Sequence, residues 1–219
     1  MKYLLILADG MADYLIPELG NKTPLQVANT PNMDKLAKSA LIGTVKTIPE
    51  GYPPGSDVAN LSVMGYDPRT YYTGRSPLEA VSMGVALGDN DLALRCNLVT
   101  LSDEKNYQDK TMLDYSSGEI SSDESGQLMA AINQELGNNE LKFYAGVSYR
   151  HLLVWQNGSN RSFTLTPPHD ISDRKVTDYL PAGKDGKVLL DLMVKSESIL
   201  KNHPVNQARI KKGLRPATS

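Results

Sequence analysis

Tyr3-Leu4-Leu5-Ile6-Leu7-Ala8-Asp9-Gly10 stands at the start of the chain. Its apolar residues run on without alternation, which predicts a central, parallel-type strand over residues 2–8, covered on both faces. Asp9 then stands at the carboxyl end of that strand, where open α/β sheets place their ligands. A second stretch gives the first its meaning: Pro54-Gly55-Ser56-Asp57-Val58-Ala59-Asn60-Leu61-Ser62-Val63-Met64-Gly65-Tyr66-Asp67-Pro68. It reads as a glycine turn, a hydroxyl and the start of a helix. The helix start offers free N–H groups and a positive dipole end to phosphate oxygens. A divalent cation on Asp9 would coordinate the Ser56 hydroxyl and favour its deprotonated form. A bare serine needs such activation to act as a nucleophile. The same residues also read as a plain turn at Asp9-Gly10 and a plain N-cap at Ser56. The local pattern leaves both readings open.

Composition narrows the classes. The chain has 219 residues with 40% hydrophobic and 22% charged side chains, ordinary for a globular protein with a real core. That length suits one large domain or two small ones. The net charge of −2 lacks the cationic excess that nucleic-acid binding requires. The single cysteine, Cys96, cannot form an internal disulfide, which points to a reducing, cytoplasmic setting. The apolar run before Asp9 is too short to span a membrane and has no signal-peptide cleavage pattern. Histidines are scarce: His151, His169 and His203.

Further along, Pro17, Gly20 and Pro24 mark residues 10–30 as loop. Thr30 and Pro31 read as the N-cap and first residue of a helix, followed by a strand over 42–48. The character changes at Asp67-Pro68. Ser76 and Pro77 predict another capped helix start. Strands are expected over 93–101, 141–148, 151–156 and 161–166, with a turn at Asn157-Gly158. Helices are expected over 121–136, opened by a Ser121/Glu124 capping box, and over 189–200. The expected architecture is α/β: a partial sheet in residues 1–67, then a compact α+β domain over 68–200.

Several ordered motifs carry a resemblance. They are Ala8-Asp9-Gly10-Met11, the Pro54–Ser62 stretch, Gly65-Tyr66-Asp67-Pro68 and Tyr72-Thr73-Gly74-Arg75-Ser76-Pro77-Leu78-Glu79-Ala80. Arg95-Cys96-Asn97, Tyr149-Arg150-His151, Pro167-Pro168-His169-Asp170-Ile171, His203-Pro204-Val205-Asn206 and Arg209 continue the series. Together they resemble the archaeal-type, cofactor-independent (2,3-bisphosphoglycerate-independent) phosphoglycerate mutases of the alkaline phosphatase superfamily, nearly end to end. The resemblance implies an incomplete alkaline-phosphatase-like sheet segment over 1–67 and an inserted α+β transferase-like domain over 68–200. Residues 201–219 are then a return linker toward a further C-terminal half.

By the same resemblance Ser56 is the transiently phosphorylated nucleophile, and Asp9 and Ser56 are metal-site residues. Arg75, Arg95 and Arg150 bind substrate, and His151, His169 and Asp170 are catalytic. It implies two divalent ions, manganese or magnesium, no 2,3-bisphosphoglycerate, and a small phosphorylated hydroxy acid as substrate. No nucleic acid or membrane partner is expected. The chemistry is consistent. Forked guanidinium donors suit a carboxylate and a phosphate, and a histidine or aspartate near a hydroxyl can serve as general base.

Each of these residues also has a structural reading: a solvated strand face for Arg95, structural pairing for Arg150 and His151, and an ordinary turn for His169-Asp170. One point departs from the pattern. The family's two-ion centre needs several converging carboxylates and imidazoles, and this sequence offers few. The expectation is a portion of an enzyme about twice as long, inactive alone. The alternatives are a phosphatase or other phosphotransferase on the same scaffold, or a non-catalytic binding fragment. A pocket should join Arg150, His151, His169 and Asp170, with His151 the nearer to His169. The route is a reversal at Asn157-Gly158 that lays 161–166 beside 151–156.

Overall fold

The computed structural model describes residues 1–52 and 54–219. The chain is a mixed α/β protein with small antiparallel sheets, and it divides into two units, Met1–Gly65 and Tyr66–Ser219.

The first unit contains helices α1 (Pro24–Val27), α2 (Pro31–Ala37) and α3 (Ser56–Val63). A capping box opens α1: Gln26 N–H donates to Thr23 Oγ1 at 3.2 Å, and Thr23 N–H donates to Gln26 Oε1 at 2.8 Å. This helix falls in the 10–30 stretch expected as loop. Pro31 opens α2 as expected, but the Thr30 hydroxyl donates to the Asp34 carboxylate instead of capping the backbone. The Ser62 hydroxyl donates to Thr47 O at 2.6 Å and ties α3 to the segment before it.

The strands expected over 2–8 and 42–48 do not form among the described residues. A strand exists by virtue of a partner for its N–H and C=O groups, and no ladder reaches either segment. Their apolar side chains lie in solvent, with Tyr3 89% and Ile6 80% exposed. A run that reads as the centre of a sheet is here unpaired.

The second unit is built on an antiparallel sheet of β1 (Leu92–Asn97), β5 (Arg150–Trp155) and β4 (Leu141–Val147), in that spatial order. A two-stranded ladder joins β2 (Thr100–Leu101) to β3 (Met112–Asp114). The helices are α4 (Pro68–Tyr71), α5 (Arg75–Ser82), α6 (Ser122–Leu136), α7 (Gly186–Lys201) and α8 (Pro204–Lys211). Strand β5 is central and buried on both faces from His151 to Trp155. One face packs with Ala93 and Ala80, the latter from α5; the other joins the main core of Leu128, Met129, Ile132, Phe143, Leu189 and Leu200. Helix α6 buries Ser125, Leu128, Met129 and Ile132, the i, i+3, i+4, i+7 stripe of an amphipathic helix.

The register departs from expectation in three places. Residues 161–166 form no strand; Thr164 makes an isolated bridge to Ala182, because β1 and β4 already occupy both edges of β5. Ser76 does not cap α5. Gly74 stands at that position, and the Ser76 hydroxyl instead accepts Arg95 N–H at 3.0 Å on the outer edge of β1. The 201–219 segment expected as a linker is built into this unit. Asn206 exchanges hydrogen bonds with Ala217, and Val99 with Thr218 and Ser219.

Candidate functional site

Ser56 is the first residue of α3, after Gly55 at the cap, and is exposed. The N-cap position expected of Ser56 is thus held by Gly55, which has no side chain to cap with. The Asp57 carboxylate folds back over the turn: a Cβ at position 55 would sit 2.4 Å from Asp57 Oδ1. Asp9 is exposed on the same unit. Among the described residues no three His, Cys, Asp or Glu side chains converge as a metal site would require. As placed, Asp9 and Ser56 do not make a two-ion centre.

In the second unit, Arg75 and Arg95 share one carboxylate. Glu79 Oε1 lies 3.5 Å from Arg75 Nε, one helical turn away, and 3.8 Å from Arg95 Nη1 on β1. Arg95 Nε is buried without a hydrogen-bond partner. Two guanidinium groups on one carboxylate leave a net positive charge. Strand register extends the pattern. Arg95 stands opposite Leu152 and Asn97 opposite Arg150 without interruption, so Arg95 and Arg150 share the face covered by α5.

His151 faces the other way. Its partner in the ladder is Cys96, and it is only 1% exposed. Gly146 N–H donates to its Nδ1 at 3.1 Å, which puts the ring proton on Nε2, a buried atom with no partner. Burial pushes the imidazole down to a pKa of about 4. The irregularity of this hairpin lies in β4, between Tyr144 and Val147, while β5 is regular. Arg150 and His151 therefore occupy opposite faces and do not line one pocket. Burial likewise pushes the Cys96 thiol up to about 11, an inert core group.

His169 and Asp170 lie in the short 3-10 turn Pro168–Ile171, about half exposed, with Nε2 and Oδ1 3.5 Å apart. A series of ring contacts links Arg150 to His169. The Arg150 guanidinium lies 5.4 Å from the Tyr149 ring centre, Tyr149 meets Tyr115 edge-on at 5.7 Å, and Tyr115 meets His169 edge-on at 6.2 Å. The pattern reading overlooked Glu79 and Tyr115. Glu79 sits in a quoted motif at i+4 from Arg75, a spacing that announces an ion pair. Tyr115 had no sequence signal, since its importance comes from what the fold sets on either side of it.

The first unit presents a solvent-facing serine at a helix start, and the second carries two guanidinium groups on one carboxylate. Comparison with known proteins fixes the class. Residues 37–206 match the family model of 2,3-bisphosphoglycerate-independent phosphoglycerate mutase, and the chain belongs to that family. It is 52% identical, over its whole length, to the Methanosarcina barkeri protein of that name, of which it covers 54%. It is equally identical, with the same coverage, to a Geobacter sulfurreducens protein named as a probable member. The solved structure of a cofactor-independent phosphoglycerate mutase from Thermoplasma acidophilum superposes with a TM-score of 0.56 at 28% identity, over 96% of this chain and 55% of that one. A Pyrococcus horikoshii structure superposes at 0.67 with 29% identity, over 96% and 47%. The chain thus spans about half the length of the curated relatives it matches.

Proposed function

We propose that this chain supplies the nucleophile and the substrate-holding surface of a phosphoglycerate mutase that interconverts 3- and 2-phosphoglycerate. The observation that carries the reading is the Arg75–Glu79–Arg95 cluster with Arg150 on the same sheet face. Its surplus positive charge suits a small acid bearing both carboxylate and phosphate. In this reading the Ser56 oxygen attacks the phosphorus of 3-phosphoglycerate. The bond to the C3 oxygen breaks, that oxygen leaves as a hydroxyl with a proton gained, and phosphoserine remains. The freed glycerate turns, its 2-hydroxyl oxygen attacks the phosphoserine phosphorus, and its proton passes to a base. Ser56 is regenerated without outside 2,3-bisphosphoglycerate.

His169 with Asp170 is the better base, being accessible to a ligand. His151, with Nδ1 engaged and the ring buried, serves in this reading as a support for the strand that carries Arg150. The metal ions of the resemblance need donors beyond Asp9, so the 219-residue chain by itself is expected to show no turnover.

The test is a chimera of this chain with the remaining sequence of the M. barkeri relative. The expected result is conversion of 3- to 2-phosphoglycerate at an ordinary enzyme rate of roughly 1–1000 per second. A folded chimera that releases inorganic phosphate would identify a phosphatase instead. One that binds the acid without turnover would identify a binding module. Turnover at that rate by the chain alone would contradict the metal-donor argument.

A further inference from the structure

We propose that Tyr115 is a positioning residue that joins the Tyr149–Arg150 and His169–Asp170 motifs into one acid-recognising site, an inference that rests on the reading above. The two motifs come from different segments, with Arg150 and His169 nineteen positions apart. No strand pairing brings them together, since residues beyond Asn157 do not return along β5. What lies between them is one ring. Tyr115 contacts Tyr149 edge-on at 5.7 Å and His169 edge-on at 6.2 Å, while Arg150 holds its guanidinium over Tyr149. Edge-to-face contacts fix the relative tilt of both partners through the ring quadrupole. A cation over one ring face adds a third directional contact.

The backbone that follows Tyr115 is tied down by side-chain hydrogen bonds. The chain leaves β3 and passes through Ser117, Gly118 and Glu119, three successive residues with left-handed φ of 51°, 68° and 50°. Two of these carry side chains that disfavour that region. Clamps hold the turn from both sides. The Asp114 carboxylate accepts from Ser116 N–H at 2.8 Å and Gly118 N–H at 2.9 Å. Arg209, itself buried, donates to Ser117 O at 2.6 Å, and Arg215 donates to Leu113 O at 2.8 Å. Strain of this kind persists only where surrounding structure over-determines it, and it gathers at functional sites. Tyr115 also packs beside Val99, Leu101, Met112, Ile171 and Val176, so the ring is anchored to the turn that carries His169. The consequence is a fixed spacing between a forked cation and a histidine–carboxylate pair.

The test is an NMR titration of the isotope-labelled chain with 3-phosphoglycerate, read at the Arg150 side-chain N–H and the His169 ring C–H. The expected result is that both shift with one shared midpoint. Tyr115→Phe, which keeps the ring, holds that midpoint within about twofold. Tyr115→Leu, with its β4 and β5 amide signals unchanged, raises it at least tenfold and separates the two reporters. Separate midpoints for Arg150 and His169 in the unaltered chain would overturn the inference, even if the leucine variant did not fold. An unchanged midpoint in a folded Tyr115→Leu variant would do the same. If the unaltered chain shows no shift at either reporter, the functional reading itself fails, an outcome distinct from binding that ignores Tyr115.

Discussion

His151 has the side chain of a general base and the surroundings of a core residue. Its ring lies against the core, its Nδ1 holds the Gly146 amide, and burial depresses its pKa to about 4. Gly146 must be glycine, because a Cβ there would sit 2.2 Å from Arg150 O. The imidazole and the missing side chain thus shape the β4 irregularity together. The depressed pKa predicts a pH dependence with a definite sign. Unfolded, the ring protonates near pH 6.5; folded, it does so only near 4. Its contribution to stability is full above pH 6.5 and is lost as pH falls toward 4, by about 3 kcal/mol. Denaturant unfolding across that range checks this. The native chain should weaken steadily, and His151→Leu should remove the slope between pH 6.5 and 4.5. Carboxylates with depressed pKa values, such as Asp114 and Glu124, act lower still. The residue type at 151 was legible, but its orientation was not. Which face of a strand a residue takes is set by register, and the expected partner, 161–166, was not the true one.

At the scale of elements, helix α6 and the segment after α7 depend on each other. Ser121 accepts Glu124 N–H as an N-cap should, at 3.3 Å. The Glu124 carboxylate does not close the expected capping box, because it is taken by the Ser121 hydroxyl and by Arg209 Nη1 at 2.6 Å. Arg209 also donates to Ser117 O and Arg215 O, so all three nitrogens of its guanidinium are engaged. Arg209 is the buried member of the pair and Glu124 is part-exposed, so removing Arg209 chiefly strips Ser117 O and Arg215 O of their donor. Arg209→Met should therefore destabilise the second unit by about 2–4 kcal/mol. Adding Glu124→Gln should cost little more, since the two act as one. Additive losses in that double-mutant cycle would show the contact to be incidental. Strands β1, β4 and β5 and helices α6 and α7 were legible from periodicity and caps. The built-in role of 204–219 was not, because a polar, basic stretch reads as solvated chain until its buried partners are known.

At the scale of the molecule, the two units differ in kind. The second has a continuous core beneath a three-stranded sheet, and the first has short helices joined by exposed, apolar, unpaired segments. Local stability should follow. Amide protons of residues 3–8 and 41–46 should exchange almost as fast as in an unfolded chain, and those of β5 only on global opening. Slow exchange at 3–8 would mean that a ladder forms there. The sequence signal at residues 2–8 was that of a buried strand. Its failure here is physical, since hydrophobic pattern specifies a strand only when a partner supplies the ladder.

The proposed role of Ser56, carrying the phosphoryl group between the two hydroxyls of glycerate, is open to a single substitution: Ser56→Ala in the same chimera, with isomerisation of 3-phosphoglycerate as the readout. The expected result is a fall of at least about ten-thousandfold and no phosphoserine recovered by mass spectrometry after an acid quench, where the parent shows it at Ser56. Near-normal isomerisation by the alanine variant would contradict it.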